Sequence, residues 1–286
     1  MASYFTHYDS ISDLRAMLDR PWLIERNRAS MTDHTHLNRE TKRSWFGIEG
    51  GYAAVAKALQ KGFPEGERLI ETMHQDLKAK LPKAVGLGRK LIKSDQGDEL
   101  DIHAVNRGDI SRAWSSRRRL IKRGKTSLRI VVDIGGNCGV NADSLRWRGV
   151  AGMCLAEIMT AASYKTEIVA GFAVRGHDEE KRSDTGVVTV TVKASGTAAD
   201  KGLLAASLCL SGFFRTFGFA AVCRLADDQG HNVESCLGHS LQLETLIKAD
   251  ARSTQLCIPH SIRDAATAAA WVTATVKMLQ GMTAVK

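Results

Sequence analysis

From residue 128 onward, hydrophobic and polar positions follow a regular pattern. The stretch LRIVVDI is apolar almost without interruption, as expected of a central parallel strand that is covered on both faces. TEIVAGFAV predicts a second strand, and GVVTVTVKA alternates Val with Thr, which is typical of an edge strand with one polar face. Between the first two strands, Asp143 and Ser144 offer an N-cap to the helical stretch SLRWRGVAGMCLAEIMTAASY.

Strand and helix patterns continue to alternate to the end of the chain. SGTAADKGLLAASLCLSGF predicts a loop and a helix, GFAAVCRLADDQG a strand that ends in two acids, and TQLCIP a short strand. SIRDAATAAAWVTATVKMLQGM predicts a final helix that Gly281 stops. This order predicts an α/β fold with a doubly wound, mostly parallel sheet and helices on both sides.

The first hundred residues have the spacing of helices rather than strands. ISDLRAMLDR and GGYAAVAKALQKG predict two short helices, and EGERLIETMHQDLKAKL repeats its apolar residues at helical intervals. We therefore divide the chain into a mainly helical N-terminal region with a basic linker, residues 1–125, and an α/β domain, residues 126–286.

Composition narrows the class of protein. Apolar residues make up 44% and charged residues 25% of the chain, which is ordinary for a globular protein. No apolar run is long enough to span a membrane, and the N-terminus lacks the apolar segment of a secretory signal, so we expect a cytoplasmic protein. The six cysteines include no CxxC pair, which favours buried, reduced thiols over a structural zinc site.

The net charge of +9 is concentrated in one segment. Residues 107–129 carry nine Lys and Arg against a single Asp, whereas the rest of the chain is close to neutral. Clustered cations with a nearby aromatic residue suit a nucleic-acid partner, and the alternative is a solvated helix that leads into the α/β domain. The candidate nucleic-acid-binding residues are Arg112, Trp114, Arg117, Arg118, Arg119, Lys122, Arg123 and Lys125.

Polar residues follow several of the predicted strands. Asp133, Thr197 and Asp227 fall at expected strand ends, where α/β sheets bind ligands, and His260 follows the strand TQLCIP and borders the same predicted edge. The chain has no GxSxG elbow, HExxH motif, EF-hand loop or P-loop, so we expect a protein that is not an enzyme.

The segment VVDIGGNCGVNADS and the strand order around it resemble the von Willebrand factor type A fold over residues 126–282. That family binds a metal ion through Asp-x-Ser-x-Ser, a later Thr and a last Asp. The resemblance puts a degenerate metal site at Asp133, Asn137, Thr197 and Asp227, with Gly135 and Asn137 in place of the two serines. We predict no cofactor. If a cation binds the remaining oxygen ligands, we expect it to be Mg²⁺. The alternative is a tight strand-to-helix turn, for which the glycines provide the necessary φ values.

The full chain resembles an uncharacterised family of tailed-phage proteins. The resemblance lies in the stretches WFGIEGGYAAVAKALQKGFPEG, RGDISRAW and FFRTFGFAAV. That resemblance implies a bacteriophage origin and a location in the host cytoplasm. The sequence thus leads to a non-enzymatic adaptor that binds a protein partner through the carboxyl edge of its sheet. Two alternatives stay open: an accessory protein that binds DNA or RNA through residues 107–129, and a structural component of the virion. The oligomeric state is left open.

Overall fold

The strands form two separate sheets. The structure is a computed structural model, and it describes residues 3–36, 43–80, 89–94, 99–100, 102, 105, 108, 113–119, 127–137, 139–162, 164–181, 183–234, 237, 239–243, 246–247 and 253–284. Its strands are β1 (Ser3–Tyr8), β2 (Arg89–Ser94), β3 (Glu99–Leu100), β4 (Trp114–Arg119), β5 (Ser127–Asp133), β6 (Lys165–Arg175), β7 (Thr185–Lys193), β8 (His239–Leu241) and β9 (Ser253–Ile258).

Ten α-helices are present among the described residues. They are α1 (Ile11–Ala16), α2 (Glu25–His36), α3 (Arg43–Phe46), α4 (Gly51–Lys61), α5 (Pro64–Lys80), α6 (Ala142–Ala161), α7 (Lys201–Leu208), α8 (Ser211–Phe213), α9 (Phe219–Asp228) and α10 (Ala265–Ala284). A 3₁₀ turn, Met17–Asp19, follows α1, and a π-helical turn, Phe214–Gly218, joins α8 to α9.

The main sheet has six strands in the order β1-β7-β6-β5-β9, and β8 pairs with the end of β6. Strand β5 is parallel to both β6 and β9, and β1 is parallel to β7, whereas β7 and β8 run antiparallel to β6. The predicted α/β class with a mostly parallel sheet is therefore confirmed. The prediction of an edge position for GVVTVTVKA is wrong, because β1 from the N-terminus adds beyond β7.

The two faces of the main sheet are covered differently. Apolar residues of β5 alternate between a large core shared with the helices, which includes Ile130, and a small cluster that contains Val131. Among the described residues, the helical side chains that pack against the sheet belong to the large core, whereas Leu241, Leu243, Leu246 and Ile247 belong to or pack on the small cluster. The expected helices on both sides of the sheet are thus not found in the part that the structure describes.

The N-terminal helices belong to the same core as the sheet. Leu14 of α1, Val55 of α4 and Ile70 of α5 are buried together with Ile130 of β5 and Val150 of α6. The predicted division at residue 125 therefore does not separate two hydrophobic cores among the described residues.

Three local predictions are wrong. GFAAVCRLADDQG contains the whole of helix α9 rather than a strand, and the helical spacing of Arg224, Asp227 and Asp228 follows an apolar start that resembles a strand. Helix α6 begins earlier than expected, with Asn141 as its N-cap accepting a hydrogen bond from the backbone N–H of Asp143. Helix α10 continues through Gly281 to Ala284.

The cysteines that the structure describes fit the expectation of buried thiols. Cys154, Cys209 and Cys223 are free and buried, and Cys257 is half-buried. Burial raises the pKa of both Cys209 and Cys223 to about 12, so their reactive thiolate forms are suppressed near neutral pH. Cys138 and Cys236 lie outside the described residues.

No single helix in the described part of the chain is both long and apolar enough to cross a membrane. One bent pair, Lys201–Leu208 with Ser211–Asp228, passes that test by length and composition, with 67° between its two parts.

Helix α6 crosses the end of α7 at a glycine, so we expect Gly149→Ala to destabilise the protein. A Cβ at this position would lie 2.2 Å from the carbonyl oxygen of Leu208, and the backbone has to move to relieve the contact. We expect a loss of about 1–3 kcal/mol in the free energy of unfolding, measured by urea denaturation. Gly139→Ala is the control, because nothing lies within 4 Å of its added Cβ. Equal stability of the two variants would contradict the tight crossing.

Candidate functional site

Asp133 ends the central strand β5 and is buried, with 2% of its surface exposed. Its Oδ1 accepts a hydrogen bond from the backbone N–H of Gly135 at 2.9 Å. Its Oδ2 accepts one from the backbone N–H of Leu243 at 3.0 Å. A buried carboxylate is retained only when donors satisfy it, so the turn after β5 and the segment after β8 both hold this side chain.

His260 contacts Asp133 from the neighbouring strand. Strand β9 lies parallel to β5, so the carboxyl ends of both strands meet at one edge, and His260 follows β9 after Pro259. Its Nε2 lies 2.5 Å from Asp133 Oδ2. The structure thus confirms that His260 borders the edge marked by Asp133. The histidine side chain keeps 23% of its surface exposed, whereas the carboxylate is covered.

Arg148, on helix α6, lies beneath this pair and is itself buried. Its Nη1 donates to the carbonyl oxygens of Gly135 at 2.7 Å and Asp133 at 3.4 Å, and its Nη2 donates to that of His260 at 3.5 Å. Burial lowers the pKa of Arg148, and the charge of Asp133 opposes that shift. One guanidinium therefore ties the end of β5 to the loop after β9.

The turn after β5 is shaped by close packing. A Cβ at Gly135 would lie 2.9 Å from Phe172 Cβ and 3.2 Å from Asp133 Oδ1, so the first position where the resemblance expects Ser has no room for a side chain. Asn137 is exposed, and its Oδ1 accepts a hydrogen bond from the backbone N–H of Ser240 at 3.0 Å. Gly135 has no positive φ, so close approach rather than a special backbone conformation accounts for this glycine.

Thr197 and Asp227 lie away from Asp133 and Asn137. Thr197 is exposed beyond the carboxyl end of β7, and because β7 runs antiparallel to β6, that end lies at the opposite edge of the sheet. Its Oγ1 donates to the carbonyl oxygen of Ala194 at 2.8 Å. Asp227 lies in helix α9, fully buried, and its nearest partners come from residues 23–27 and Arg224. The predicted set of four metal ligands is thus split among three places.

A divalent cation does not fit the residues at Asp133. Both carboxylate oxygens already accept N–H donors, and the side-chain oxygen of Asn137 is occupied by Ser240. Hard cations require several free oxygens. Among the residues that the structure describes, no group of three or more His, Cys, Asp or Glu side chains is arranged to hold a metal ion.

We name Asp133, Asn137, Arg148 and His260 the strand-end site. Sequence reasoning found Asp133, Asn137 and His260 but missed Arg148. The available signal was a charged residue inside an otherwise apolar helix, since Arg148 directly precedes GVAGMCLAEI. A buried charge needs partners, and such an arginine therefore indicates a fixed set of carbonyl oxygens nearby.

We expect Asp133→Asn to lower stability, because an amide nitrogen in place of either oxygen faces N–H donors. The expected loss is about 1–3 kcal/mol in the free energy of unfolding, the cost of unpaired buried polar groups. Asp143→Asn is the matched control, since the side chain of Asp143 is 69% exposed. Both variants are compared by chemical denaturation. If Asp133→Asn has the same free energy of unfolding as the wild type, the hydrogen bonds at Asp133 contribute little to the stability of the fold.

The second candidate site is a small antiparallel sheet, β2-β4-β3, which we name the basic sheet. Arg117, Arg118 and Arg119 lie in β4, so this part of the predicted basic linker is a strand. Trp114 begins β4, is half-buried, and pairs with Ser94 of β2. The other predicted nucleic-acid-binding residues lie outside the described part: Arg112, Lys122, Arg123 and Lys125.

The pairing of β2 with β4 sets cations opposite one another. Arg89 pairs with Arg119, and Lys90 pairs with Arg118. Like charges directly opposite each other in an antiparallel pair destabilise it. The register therefore places positively charged residues at directly paired positions of the basic sheet.

A family model described as a domain of unknown function (DUF7192) matches residues 2–282 of the chain. No curated protein and no solved structure matches it.

Proposed function

Because the chain belongs to the DUF7192 family, whose description states no activity, we propose a function from the geometry: the protein binds nucleic acid through the basic sheet. The observation that carries the proposal is the register of β2 and β4, in which Arg89 faces Arg119 and Lys90 faces Arg118. A polyanion between such pairs replaces their mutual repulsion with attraction.

The composition of the two strands supports a polyanion over a protein partner. Strands β2 and β4 read RKLIKS and WSSRRR, with six cations and no acid. In the described residues β3 pairs with Trp114 and Ser115, so β2 and Ser116–Arg119 form a two-stranded ribbon. The major groove of a duplex admits such a ribbon.

The test is a fluorescence anisotropy titration of the full chain with labelled duplex and single-stranded DNA and RNA. At about 50 mM salt we expect saturable binding, because the phosphate attraction is strongest when counterions are dilute. Comparison of the four titrations identifies the preferred form of nucleic acid. Absence of binding to all four ligands at this salt concentration would refute the proposal.

A second candidate function is the docking of a protein partner at the carboxyl edge of the main sheet. One specific observation favours it: Arg148 bonds carbonyl oxygens on both sides of this edge, so the strand-end site is held in a fixed shape. This candidate arose from the resemblance to the von Willebrand factor type A fold, which implies a binding site at this edge of the sheet. Crosslinking of the protein in the cells that produce it, compared with a His260→Ala variant, tests it. Identical crosslinks from both proteins would refute it.

A further inference from the structure

We propose that a pocket between helices α5, α6 and α7 binds a small diamino carboxylic acid, a molecule with two ammonium groups and one carboxylate on an aliphatic chain. We name it the helix pocket, and its volume is about 420 Å³. Helix α5 contributes most of the described lining, and Met153 of α6 and Lys201 of α7 also line it. These residues belong to neither the basic sheet nor the strand-end site, so the inference goes beyond the nucleic-acid function proposed above.

The floor of the helix pocket is apolar. Ile70 of α5 and Met153 of α6 both line it, and each is only 2% exposed. Pockets that bind small ligands have volumes of about 300–1,000 Å³ and combine an apolar lining with a few polar groups that fix the orientation of the ligand. The helix pocket has this size and this division, so its floor suits the aliphatic chain of a small molecule.

Two charged groups of the lining are held in place by their neighbours. Glu67 lies against the first turn of α7, since a Cβ at Gly202 would be 3.5 Å from its Oε1 and a Cβ at Gly62 would be 3.0 Å from the same atom. Lys201 Nζ lies 2.8 Å from Glu157 Oε1. Groups that are already fixed lose little conformational freedom when a ligand binds, which favours affinity.

The charge of Lys201 is already balanced within the protein. The hydrogen bond and charge of Glu157 raise the pKa of Lys201, so the ammonium form persists at neutral pH. Glu71 and Glu67 raise it further, which shows that both carboxylates lie within electrostatic range of this ammonium group. The pair of Lys201 with Glu157 therefore adds no net charge to the helix pocket.

Three other charged side chains of the lining, Glu67, Arg68 and Glu71, form no ion pair with the residues that the structure describes. Arg68 Nε donates to the carbonyl oxygen of Pro64 at 3.3 Å, and Glu71 Oε1 accepts from Gln75 Nε2 at 3.2 Å. Glu67 and Glu71 are four residues apart on one helix face, where like charges destabilise a helix. The helix pocket thus offers two carboxylates and one guanidinium to a ligand.

These three charges define the class of ligand. Two ammonium groups match the two glutamates, and one carboxylate matches Arg68, whose guanidinium binds carboxylates through paired N–H donors. The charges of the occupied helix pocket then sum to zero. A diamine leaves Arg68 without a partner, and an amino acid with a neutral side chain leaves one glutamate without a partner. A diamino carboxylic acid satisfies all three.

The test is isothermal titration calorimetry of the full-length protein with three probes of similar aliphatic length. L-lysine carries all three charged groups, L-norleucine lacks the terminal ammonium, and cadaverine lacks the carboxylate. We expect saturable binding of lysine at neutral pH. Affinity for each of the other two probes is expected to be about tenfold lower or less, because each loses one charge-assisted hydrogen bond.

Variants of α5 identify the groups that select the ligand. Glu71→Gln keeps the size of the side chain and lowers the affinity for lysine about tenfold, and it also reduces the preference for lysine over norleucine. Arg68→Gln reduces the preference for lysine over cadaverine. Asp76→Asn removes a carboxylate charge from an exposed position of α5 outside the described lining and is the matched control for Glu71→Gln.

Three results would overturn the inference. They are the absence of saturable heat with all three probes, an affinity for lysine equal to that for either analogue, and an equal loss of lysine affinity in Glu71→Gln and Asp76→Asn. A protein that binds nucleic acid but not lysine refutes this inference alone and leaves the role of the basic sheet intact.

Discussion

Alanine at Arg117, Arg118 and Arg119 lowers the affinity for nucleic acid roughly 100-fold at about 0.2 M salt. The reason is counterion release: each phosphate that a cation no longer neutralises removes about 0.9 from the slope of log affinity against log salt. Strands β2 and β4 hold six cations, and this variant keeps three of them. Anisotropy titrations of both proteins at matched salt concentrations measure the difference.

The control for this variant is a second triple substitution, Lys57→Ala, Lys61→Ala and Lys78→Ala. These lysines are exposed on helices α4 and α5, away from the basic sheet in sequence, and the change in net charge is the same. We expect it to lower affinity less than threefold or so, because only specific phosphate contacts carry the full effect. Equal reductions of affinity in both variants would show that net charge, rather than the basic sheet, attracts the nucleic acid.

Replacing Arg224 with leucine destabilises the fold by about 3–5 kcal/mol, the cost of leaving a buried charge without its partner. Arg224 is 1% exposed and stacks on Trp22, with its guanidinium carbon 3.8 Å from the ring centroid. It donates to Asp227 at 3.1 Å and to the carbonyl oxygens of Met17, Arg20 and Pro21. Leucine removes all these bonds and leaves Asp227 buried with fewer donors.

Guanidinium denaturation of the Arg224→Leu protein measures the decrease in stability. The matched control is Arg20→Ala, which breaks an ion pair with Asp228 whose partners are 55% and 35% exposed. Exposed pairs contribute only about 0–1 kcal/mol, so this variant stays close to the wild type. If both variants unfold at the same denaturant concentration, Arg224 does not anchor the segment after α1.

The strands with nearly continuous apolar runs were predictable from the sequence. LRIVVDI and TEIVAGFAV are β5 and β6, because a strand buried in a parallel pair needs apolar residues at nearly every position. The long helix between them was predicted from its position and apolar pattern, but its N-cap is Asn141 rather than Asp143 or Ser144. The apolar start of FAAVCRLADD led to the wrong prediction of a strand, although Arg224, Asp227 and Asp228 have the spacing of one helix face.

Local sequence patterns could not predict which distant segments pair in the sheet. SYFTHY alternates like a strand, yet its place beside β7 depends on a contact between residues far apart in the chain, such as Phe5 with Val187. The same limit applies to the site. Asp133 and His260 were placed at one edge because both follow strands, whereas Thr197 was misplaced because the direction of β7 is not encoded in its own pattern.

The buried arginines were the least predictable feature. Arg148, Arg215 and Arg224 each donate to backbone carbonyl oxygens from different segments. A carbonyl acceptor exists at every residue, so no sequence motif marks the partner of such an arginine. The origin in a tailed phage, the cytoplasmic location and a role in the virion stay predictions.

The slope of log affinity against log salt for the unmodified protein counts the phosphates that the basic sheet contacts. If the six cations of β2 and β4 each contact a phosphate, the slope is about −5, and affinity falls roughly 1,000-fold between about 50 and 200 mM salt. A slope near zero, or no binding at low salt, would contradict the proposal that the basic sheet binds nucleic acid.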